Sequence, residues 1–530
     1  MKTIFKYGIL AACFAVTNIA SARTLYDTET YDFDVDGVAY NILSEENKTV
    51  EVTHGTRINT SHSQFVDFQY KGDVVVPPTV KYKDVTYDVV AVGASAFRPV
   101  ETEQYPQPPV TSITLPNTIK TIGKSAFYDC VYITSLVIPE GVTEIEKQTF
   151  YNCKALSTLQ INGNVTKIGE SAFAGCECIT ALPNLSHLTK ISDNAFEGCS
   201  IESVNIPGTV REIGYEAFAG CKYLKEVTIP NSVEVLQGFS DCPKLGYVYV
   251  PDSVKRIGEF NNCPNLKING LPASLDSIYS NAFRNSGITS VIIPASVRYI
   301  GKRALTCCEN LSAIDVDPNN TKYSSLDGVL FNKRRDKLMV YPGGCRKRYD
   351  YTIPASVTLV DESAFESNVG LTELRIPDTV KRLGRRAFYS VQNLCTIICG
   401  AAVPIGCSDS DSEMFNYPRI PYLFVPKGSV KAYKNADRWR YYFDHISDNL
   451  PDYIGVEDIA TDAVQNISVI CRDGTIVVEN APANAVIRVY NMQGIQVAET
   501  VEPEIRNLPA GIYVVAVGEE TTKVMLNGEF

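Results

Sequence analysis

The sequence predicts a β-rich solenoid of stacked coils, with short strands in each coil and a small β-sandwich after the last coil. The first observation is a phenylalanine that recurs at steps of 21 to 23 residues. The series runs through Phe127, Phe150, Phe173, Phe196, Phe218, Phe239, Phe260 and Phe283, then Leu305, and resumes at Phe365 and Phe388. A fixed period in this range indicates a solenoid, in which each coil buries its apolar side against its neighbours.

The second observation is the pattern inside each period. Alternation such as Val227-Thr228-Ile229 is typical of a strand with one face buried and one exposed. A proline that cannot donate to a strand ladder closes the strand at Pro139, Pro207, Pro230, Pro251, Pro294 and Pro377. A glycine suited to a tight bend follows the next isoleucine or leucine at Gly123, Gly169, Gly214, Gly258, Gly301 and Gly384. About a dozen such coils at a strand spacing of ~4.8 Å predict a solenoid ~60 Å long.

The sequence pattern of the repeat resembles that of a known family. The segments Ile229-Pro230-Asn231-Ser232-Val233 and Gly214-Tyr215-Glu216-Ala217-Phe218-Ala219-Gly220-Cys221 are similar to the BspA-type leucine-rich repeat, found on the surfaces of Bacteroides-like bacteria and some protozoa. The resemblance runs roughly from Asp73 to Ile446, over many repeats. It implies a leucine-rich-repeat fold, a place at the cell surface, and attachment to host matrix proteins or to other cells.

Cysteines recur in step with the phenylalanines. Eight lie three residues after the repeat phenylalanine or leucine: Cys130, Cys153, Cys176, Cys199, Cys221, Cys242, Cys263 and Cys308. Disulfides are the usual use of cysteine in an exported protein. Equivalent positions in stacked coils point in parallel, however, and a disulfide needs converging β-carbons ~3.8 Å apart. A buried thiol is a good small apolar filler, so the pattern predicts a structural column of reduced, buried cysteines.

The N-terminus is typical of a secretory signal. Lys2 and Lys6 precede an apolar run, and Ala20-Ser21-Ala22 is a small-residue cleavage site, so we expect a signal peptide at 1–22 and cleavage before Arg23. The alternative is lipoprotein processing, because Leu10-Ala11-Ala12-Cys13 resembles a bacterial lipobox. No later stretch reaches the ~18 apolar residues of a membrane span. We therefore expect an exported chain, at the cell surface or outer membrane or secreted.

The remaining patterns divide the mature chain. Around Asp327-Gly328 the repeat is interrupted by a predicted hairpin that stands out from the stack, and Asp36-Gly37 marks a similar hairpin near the N-terminus. A solenoid end needs a cover over its exposed apolar coil. The expected domains are an N-terminal cap at 23–96, the solenoid at 97–447 with its hairpin insertion at 318–351, a linker at 448–465, and a β-sandwich at 466–530.

The last domain carries a second resemblance. Val489-Tyr490-Asn491-Met492-Gln493-Gly494 and Leu508-Pro509-Ala510-Gly511-Ile512-Tyr513 are similar to the C-terminal sorting domain of type IX secretion substrates. This resemblance implies delivery across the outer membrane. The alternative is a purely structural cap.

Composition and residue patterns argue against several functions. The net charge of −11 disfavours a surface that follows nucleic-acid phosphates. None of the four histidines, His54, His62, His187 and His445, stands in a catalytic spacing, so we expect no enzyme and no cofactor. Asp32-Phe33-Asp34-Val35-Asp36-Gly37 opens like a calcium loop, but Leu43 occupies the twelfth position, where a bidentate glutamate is needed. We therefore predict no metal site.

Outward strand positions are the place for a binding function. They form a hydroxyl-rich ribbon with two tyrosines near its middle, and the candidate binding residues are Tyr247, Tyr249, Glu226, Thr228, Asn205 and Gln160. Tyrosines are typical anchors in interfaces. We expect a non-catalytic protein-binding or adhesion scaffold, whose partner is an extracellular protein of the host matrix or a cell surface. The alternatives are a glycan-binding surface module and a structural envelope spacer.

Overall fold

The computed structural model describes residues 31–59, 64–68, 70–99, 109–183, 185–345, 349–407, 414–415, 419–449, 468–472, 475–479, 485–491, 496–509, 511–517 and 520–526. The expected signal peptide, His62 and positions 450–465 of the expected linker lie outside these ranges. Within them, no helix combines the length and the apolar character needed to cross a membrane.

Short strands account for almost all of the regular structure. The N-terminal strands are β1 (Phe33–Val35), β2 (Val38–Ser44), β3 (Thr49–Thr53), β4 (Gly55–Asn59), β5 (Gln64–Phe68), β6 (Gly72–Val75), β7 (Thr79–Tyr82) and β8 (Val85–Val92). The first coils contain β9 (Val110–Thr114), β10 (Thr121–Ile122), β11 (Ser135–Ile138), β12 (Glu144–Ile145), β13 (Thr158–Ile161), β14 (Lys167–Ile168), β15 (Lys190–Ile191), β16 (Ser203–Asn205) and β17 (Glu212–Ile213). The central coils contain β18 (Glu226–Thr228), β19 (Val235–Leu236), β20 (Tyr247–Val248), β21 (Arg256–Ile257), β22 (Lys267–Ile268), β23 (Ser277–Ile278), β24 (Ser290–Ile293), β25 (Tyr299–Ile300) and β26 (Ala313–Val316).

The second part of the solenoid begins with three longer strands. They are β27 (Tyr323–Leu326), β28 (Val329–Asn332) and β29 (Lys337–Val340). The coils after them contain β30 (Asp350–Thr352), β31 (Leu359–Val360), β32 (Glu373–Ile376), β33 (Arg382–Leu383), β34 (Thr396–Cys399), β35 (Gly406–Cys407), β36 (Ile420–Phe424), helices α1 (Val430–Asn435) and α2 (Asp437–Arg440), and β37 (Phe443–Ser447). The C-terminal strands are β38 (Ser468–Arg472), β39 (Thr475–Glu479), β40 (Ile487–Asn491), β41 (Gln496–Thr500), β42 (Glu504–Ile505), β43 (Gly511–Val517) and β44 (Glu520–Leu526).

The predicted β-solenoid is confirmed and has about 13 turns. Each regular coil supplies one strand to a long-strand face, such as β16, β18 and β20, and one two-residue strand to a short-strand face. On the short-strand face, β12, β14, β15, β17, β19, β21, β23 and β25 form one eight-stranded parallel sheet. Like positions of successive coils therefore lie side by side, as Ile191 and Ile213 do in β15 and β17.

The repeat phenylalanines form one column in the core. From Phe97 to Phe283, neighbouring ring centroids lie 5.1 to 5.8 Å apart and the rings are nearly parallel. These rings are at most 2% exposed. One phenylalanine per coil therefore fills the centre of the stack and gives offset aromatic contacts along its axis.

The repeat glycines have a different role from the expected bend. Neither Gly123 nor Gly169 has a positive φ. A β-carbon on Gly123 would lie 2.7 Å from the backbone nitrogen of Ala94, and one on Gly169 would lie 2.5 Å from that of Lys147. These glycines therefore let the backbones of successive coils approach closely.

The N-terminal region covers the first coil. Strands β1, β2 and β3 form an antiparallel meander, β3 pairs in parallel with β8, and β8 pairs with β10 of the solenoid. The turn between β1 and β2 has Asp36 and Gly37 at φ 50° and 78°, as a two-residue hairpin turn requires. Tyr40 of β2 and Val50 of β3 are fully buried, so the meander contributes to the same core as the coils.

The hairpin of the insertion lies inside the stack, contrary to the expectation that it stands out. Strands β27, β28 and β29 repeat the N-terminal meander, and β29 pairs in parallel with β31 of the following coil. Leu330, Phe331 and Leu338 are fully buried. Strands with so many buried apolar residues must be covered on both faces, so the insertion continues the core.

The last coil of the solenoid is followed by a C-terminal segment with its own apolar core. Trp439 and Tyr433 are buried against the final coil, and the indole nitrogen of Trp439 donates to the carbonyl of Ile405 at 3.2 Å. Beyond residue 467, one sheet of β38, β39 and β42 and another of β40, β41, β43 and β44 share an apolar core. Two antiparallel sheets around one core have the arrangement of a β-sandwich. The domain boundaries expected from the sequence stay predictions.

Candidate protein-binding ribbon

Alternation along the long-strand face produces a ribbon of outward side chains. Val204, Val227 and Val248 point into the core and are at most 7% exposed. The residues on either side of them are exposed. Parallel register then aligns outward residues of successive coils, as in the pairing of Asn205 with Thr228 in β16 and β18. The ribbon is thus a surface of side-chain rows one strand spacing apart.

Five of the six candidate residues lie in neighbouring coils. Tyr247 and Tyr249 are 57% and 53% exposed, in the coil that follows Glu226 and Thr228. Asn205 lies one coil further towards the N-terminus and is also exposed.

Gln160 is separated from this group. It lies in β13, and the described residues of the next coil contribute no strand to the long-strand face before β16 begins. Its side-chain amide donates to Asn162 at 2.8 Å. The structure therefore brings five candidates together and leaves Gln160 two coils away.

Three further side chains extend the group and were missed in the sequence. Tyr223 is 48% exposed, and the ammonium of Lys244 lies 4.7 Å above its ring centre. Lys267 is paired in register with Tyr247. Tyr223 and Lys244 each precede a buried leucine, so comparison of that position between coils would have found them. Strand alternation alone does not identify this position, because it lies before the strand begins.

Asn269 holds the backbone beside Tyr249. Its side-chain oxygen accepts the amide of Val250 at 2.7 Å, and its nitrogen donates to the carbonyl of Val250 at 3.2 Å. The asparagine thus replaces the strand ladder after β22 ends at Ile268. This fixes the strand end that carries Tyr249 and uses both polar ends of the amide.

The cysteine column lies in the core of the solenoid. The thiol of Cys221 donates to the carbonyl of Phe196, in the preceding coil, at 3.3 Å. Across the column the sulfur-to-oxygen distances are 3.0 to 3.3 Å, for Cys130, Cys153, Cys176, Cys199, Cys221, Cys242, Cys263 and Cys308. All eight are free and buried. Burial raises the pKa of Cys176 and Cys221 to about 12, so these thiols stay protonated donors.

The described histidines lie apart from one another. His187 is exposed, with Nδ1 3.2 Å from the hydroxyl of Ser186, and His445 stacks on Tyr422 at 5.4 Å. His54 is half-buried at the end of β3. Among the described residues, no three His, Cys, Asp or Glu side chains come together as metal ligands. Asp32, from the calcium-like sequence, accepts the amide of Ile42 at 2.7 Å.

These coils, most of which contain a strand of the long-strand face, a two-residue strand and a phenylalanine, define a leucine-rich-repeat solenoid. A family model described as the BspA type leucine rich repeat region matches residues 100–225, 236–327 and 343–436. Because the matched segments make up more than half of the chain, the protein belongs to the BspA-type leucine-rich-repeat family. A second model, for a domain of unknown function (DUF6383), matches residues 454–526.

This chain is similar to several solved structures. A leucine-rich repeat protein from Bacteroides ovatus is 25% identical, with a TM-score of 0.47, over 79% of this chain and 99% of that one. A leucine rich cell surface protein from Faecalibacterium prausnitzii is 23% identical, with a TM-score of 0.35, over 75% and 85%. The pneumococcal vaccine antigen PcpA is 17% identical, with a TM-score of 0.26, over 78% and 96%. Comparison with curated proteins gives no match.

Proposed function

We propose that this protein is an exported cell-surface scaffold that binds other proteins through the ribbon and serves in adhesion. The observation that carries the proposal is the exposure of Tyr247 and Tyr249, which lie two residues apart in one coil, on either side of the buried Val248, and are both more than half exposed. Tyrosine supplies a large contact area with a polar tip and is enriched among binding hot spots. Membership of a leucine-rich-repeat family supports a non-catalytic scaffold, because a solenoid offers an extended face to partners.

A binding array tests the proposal. The chain from Arg23 onward is probed against extracellular-matrix proteins, bacterial surface proteins and glycans, beside the variant Tyr247→Ala/Tyr249→Ala. We expect saturable binding to a protein, and a loss of about 2 kcal/mol or more, roughly 30-fold in affinity, in the variant.

A matched control removes two other exposed tyrosines. Tyr215 and Tyr299, each 51% exposed, lie beside or within the short-strand face, so Tyr215→Ala/Tyr299→Ala makes the same chemical change away from the ribbon. Affinity should stay within about 0.5 kcal/mol of wild type in this control. Equal affinity of all three proteins would remove the tyrosines from the site. Binding to glycans alone would favour the glycan-binding alternative. The absence of binding to any protein or glycan on the array would favour a structural spacer.

The proposal includes the route to the cell surface. We infer cleavage before Arg23 and sorting by the segment 466–530, on the residue patterns of the two chain ends. Mass measurement of the protein from its own cells distinguishes a chain that starts at Arg23 from one lipidated at Cys13. Deletion of 466–530 should leave the solenoid behind the outer membrane. Unchanged surface delivery with a lower unfolding temperature would instead indicate a structural cap.

A further inference from the structure

The tyrosines of the ribbon share their surface with lysines. Between the cysteine and the next closing proline, three successive coils span 222–230, 243–251 and 264–272. Their charged residues, all exposed, are Lys222, Lys225, Glu226, Lys244 and Lys267. The flanking segment 200–207 contributes only Glu202, and 287–294 contributes no charge. A local excess of lysine thus surrounds the tyrosines of a chain whose net charge is −11.

Most of this positive charge is available to a partner. Lys225 pairs with Glu202 at 3.0 Å, and both side chains are more than half exposed. Among the described residues, no carboxylate lies within 4.0 Å of the ammonium groups of Lys222, Lys244 and Lys267. The ammonium of Lys244 instead lies over the ring of Tyr223. A cation–π contact at an exposed site stabilises by only about 0.5–1 kcal/mol, so this contact leaves the ammonium able to pair with a carboxylate of a partner.

The register alternates aromatic and ammonium groups. Tyr223 and Lys244 hold the same position in successive coils, and Tyr247 is paired with Lys267 in the next row. One coil step therefore separates a ring from an ammonium in each row, ~4.8 Å along the solenoid axis. A partner that fits this surface carries carboxylates close to apolar or aromatic groups.

We propose that the tyrosine–lysine patch, defined as Lys222, Tyr223, Lys244, Tyr247, Tyr249 and Lys267, binds an acidic segment of a protein partner. This inference rests on the proposed function and names the chemistry of the partner. Aromatic residues are enriched in the cores of protein interfaces and the rims are polar. Complementary charge across an interface contributes to its specificity and association rate.

Two features of the ribbon favour a polypeptide over an acidic glycan. Side-chain amides and carboxylates are well suited to the many hydroxyl groups of a sugar, yet the amide of Asn269 is already occupied at both ends by the backbone of Val250. Within the three coils only Glu226 supplies a carboxylate to the ribbon. The patch is thus rich in groups that take carboxylates and apolar surface.

Charge reversal in the whole chain tests the inference. The variant Lys222→Glu/Lys244→Glu/Lys267→Glu is compared with Lys120→Glu/Lys124→Glu/Lys431→Glu, which makes the same change in net charge at exposed lysines outside the patch. The probe is fluorescein-labelled poly-L-glutamate, followed by fluorescence anisotropy, with polygalacturonate as an acidic glycan. We expect wild type and control to bind poly-L-glutamate, more weakly as salt rises, and the patch variant to bind at least about tenfold more weakly.

The outcomes separate this inference from the proposed function. Equal binding of poly-L-glutamate by the patch variant and the control, or no binding by wild type, overturns the acidic-segment proposal. Binding of polygalacturonate alone overturns the choice of a polypeptide. The same variants on the protein array show which proposal has failed: a partner lost with Tyr247→Ala/Tyr249→Ala but kept by the lysine variant leaves the scaffold function standing without an acidic partner.

Discussion

Removing one thiol from the cysteine column tests why the column exists. Cys221 is fully buried, and its thiol donates to the carbonyl of Phe196, which also accepts the amide of Cys199 at 3.3 Å. In Cys221→Ala that carbonyl keeps one bond and loses a weak one. The lost sulfur costs about 1 kcal/mol of apolar transfer, and the small cavity and weak bond add a similar amount at most. We expect a loss of about 1–2 kcal/mol.

Cys221→Ser distinguishes a hydrogen-bonding role from simple filling. The hydroxyl keeps a donor, so we expect a smaller loss than for alanine. The chain itself supports this, because the same position is held by Ser286 and Asn368, and the Asn368 side chain donates to the carbonyl of Pro342 at 2.8 Å. The buried residues at this position, which are the eight cysteines, Ser286 and Asn368, therefore all carry a donor, whereas the half-buried Val391 after Phe388 does not. Serine that destabilises more than alanine would refute the hydrogen-bonding role and leave the thiol as an apolar filler.

The assay must resolve local effects, since a coil contacts only its neighbours. Urea unfolding gives the change in midpoint, and hydrogen exchange of amides in the flanking coils shows whether the loss is local. Cys178 is exposed, so Cys178→Ala is the control and should change stability by less than about 0.5 kcal/mol. Thiol counting in urea without reductant should find the column reduced. A mostly oxidised column would contradict parallel stacking of the coils.

Three further tests probe the contacts between coils. Gly169→Ala should destabilise by about 1–3 kcal/mol because its β-carbon meets the backbone of the preceding coil, whereas Gly208→Ala, in open space, should be neutral in the same urea assay. Burial raises the pKa of Glu259 from 4.5 to about 7. The native state then binds more protons than the unfolded state between these values, so stability falls as pH rises through this window; Glu259→Gln should flatten the fall, and an unchanged slope would exclude Glu259. Arg284 holds the buried carboxylate of Glu366 at 3.0 Å, so Arg284→Ala should cost about 3 kcal/mol and Arg284→Ala/Glu366→Ala clearly less, as a double-mutant cycle will show.

The regular features of the fold could be predicted because each is repeated many times. A phenylalanine every 21 to 23 residues must occupy one place in each coil, and the structure stacks these rings in a column. The repeat glycine could be recognised for the same reason, but its structural role could not be predicted. Whether a residue without a β-carbon serves a bend or a close approach depends on the distance between coils, as at Gly123, where the backbone of Ala94 fills the space.

Departures from the repeat are visible in the sequence as irregular spacing, but the contacts that they produce could not be predicted from it. The coils of Phe239 and Phe260 are shorter than their neighbours between the short strand and the phenylalanine. The carboxylate of Glu259 reaches back two coils and accepts the amide of Glu216 at 2.8 Å. No single period contains that contact, because it joins residues 43 positions apart across a shortened coil.

The candidate site follows the same division. Strand alternation placed Tyr247 and Tyr249 outward because that rule holds in the coils of β16, β18 and β20. It fails at β32, where Glu373 is buried. The contact between the ammonium of Lys244 and the ring of Tyr223 could be found in the sequence only by comparing the position before the buried leucine in two successive coils. Most repeats hold other residues at that position. Positions that repeat specify the solenoid, since each must fit the same neighbours. Outward positions are free to vary, so a run of tyrosine and lysine in three successive coils is where this chain differs from its own repeat, and a specific partner can be recognised only at such differences.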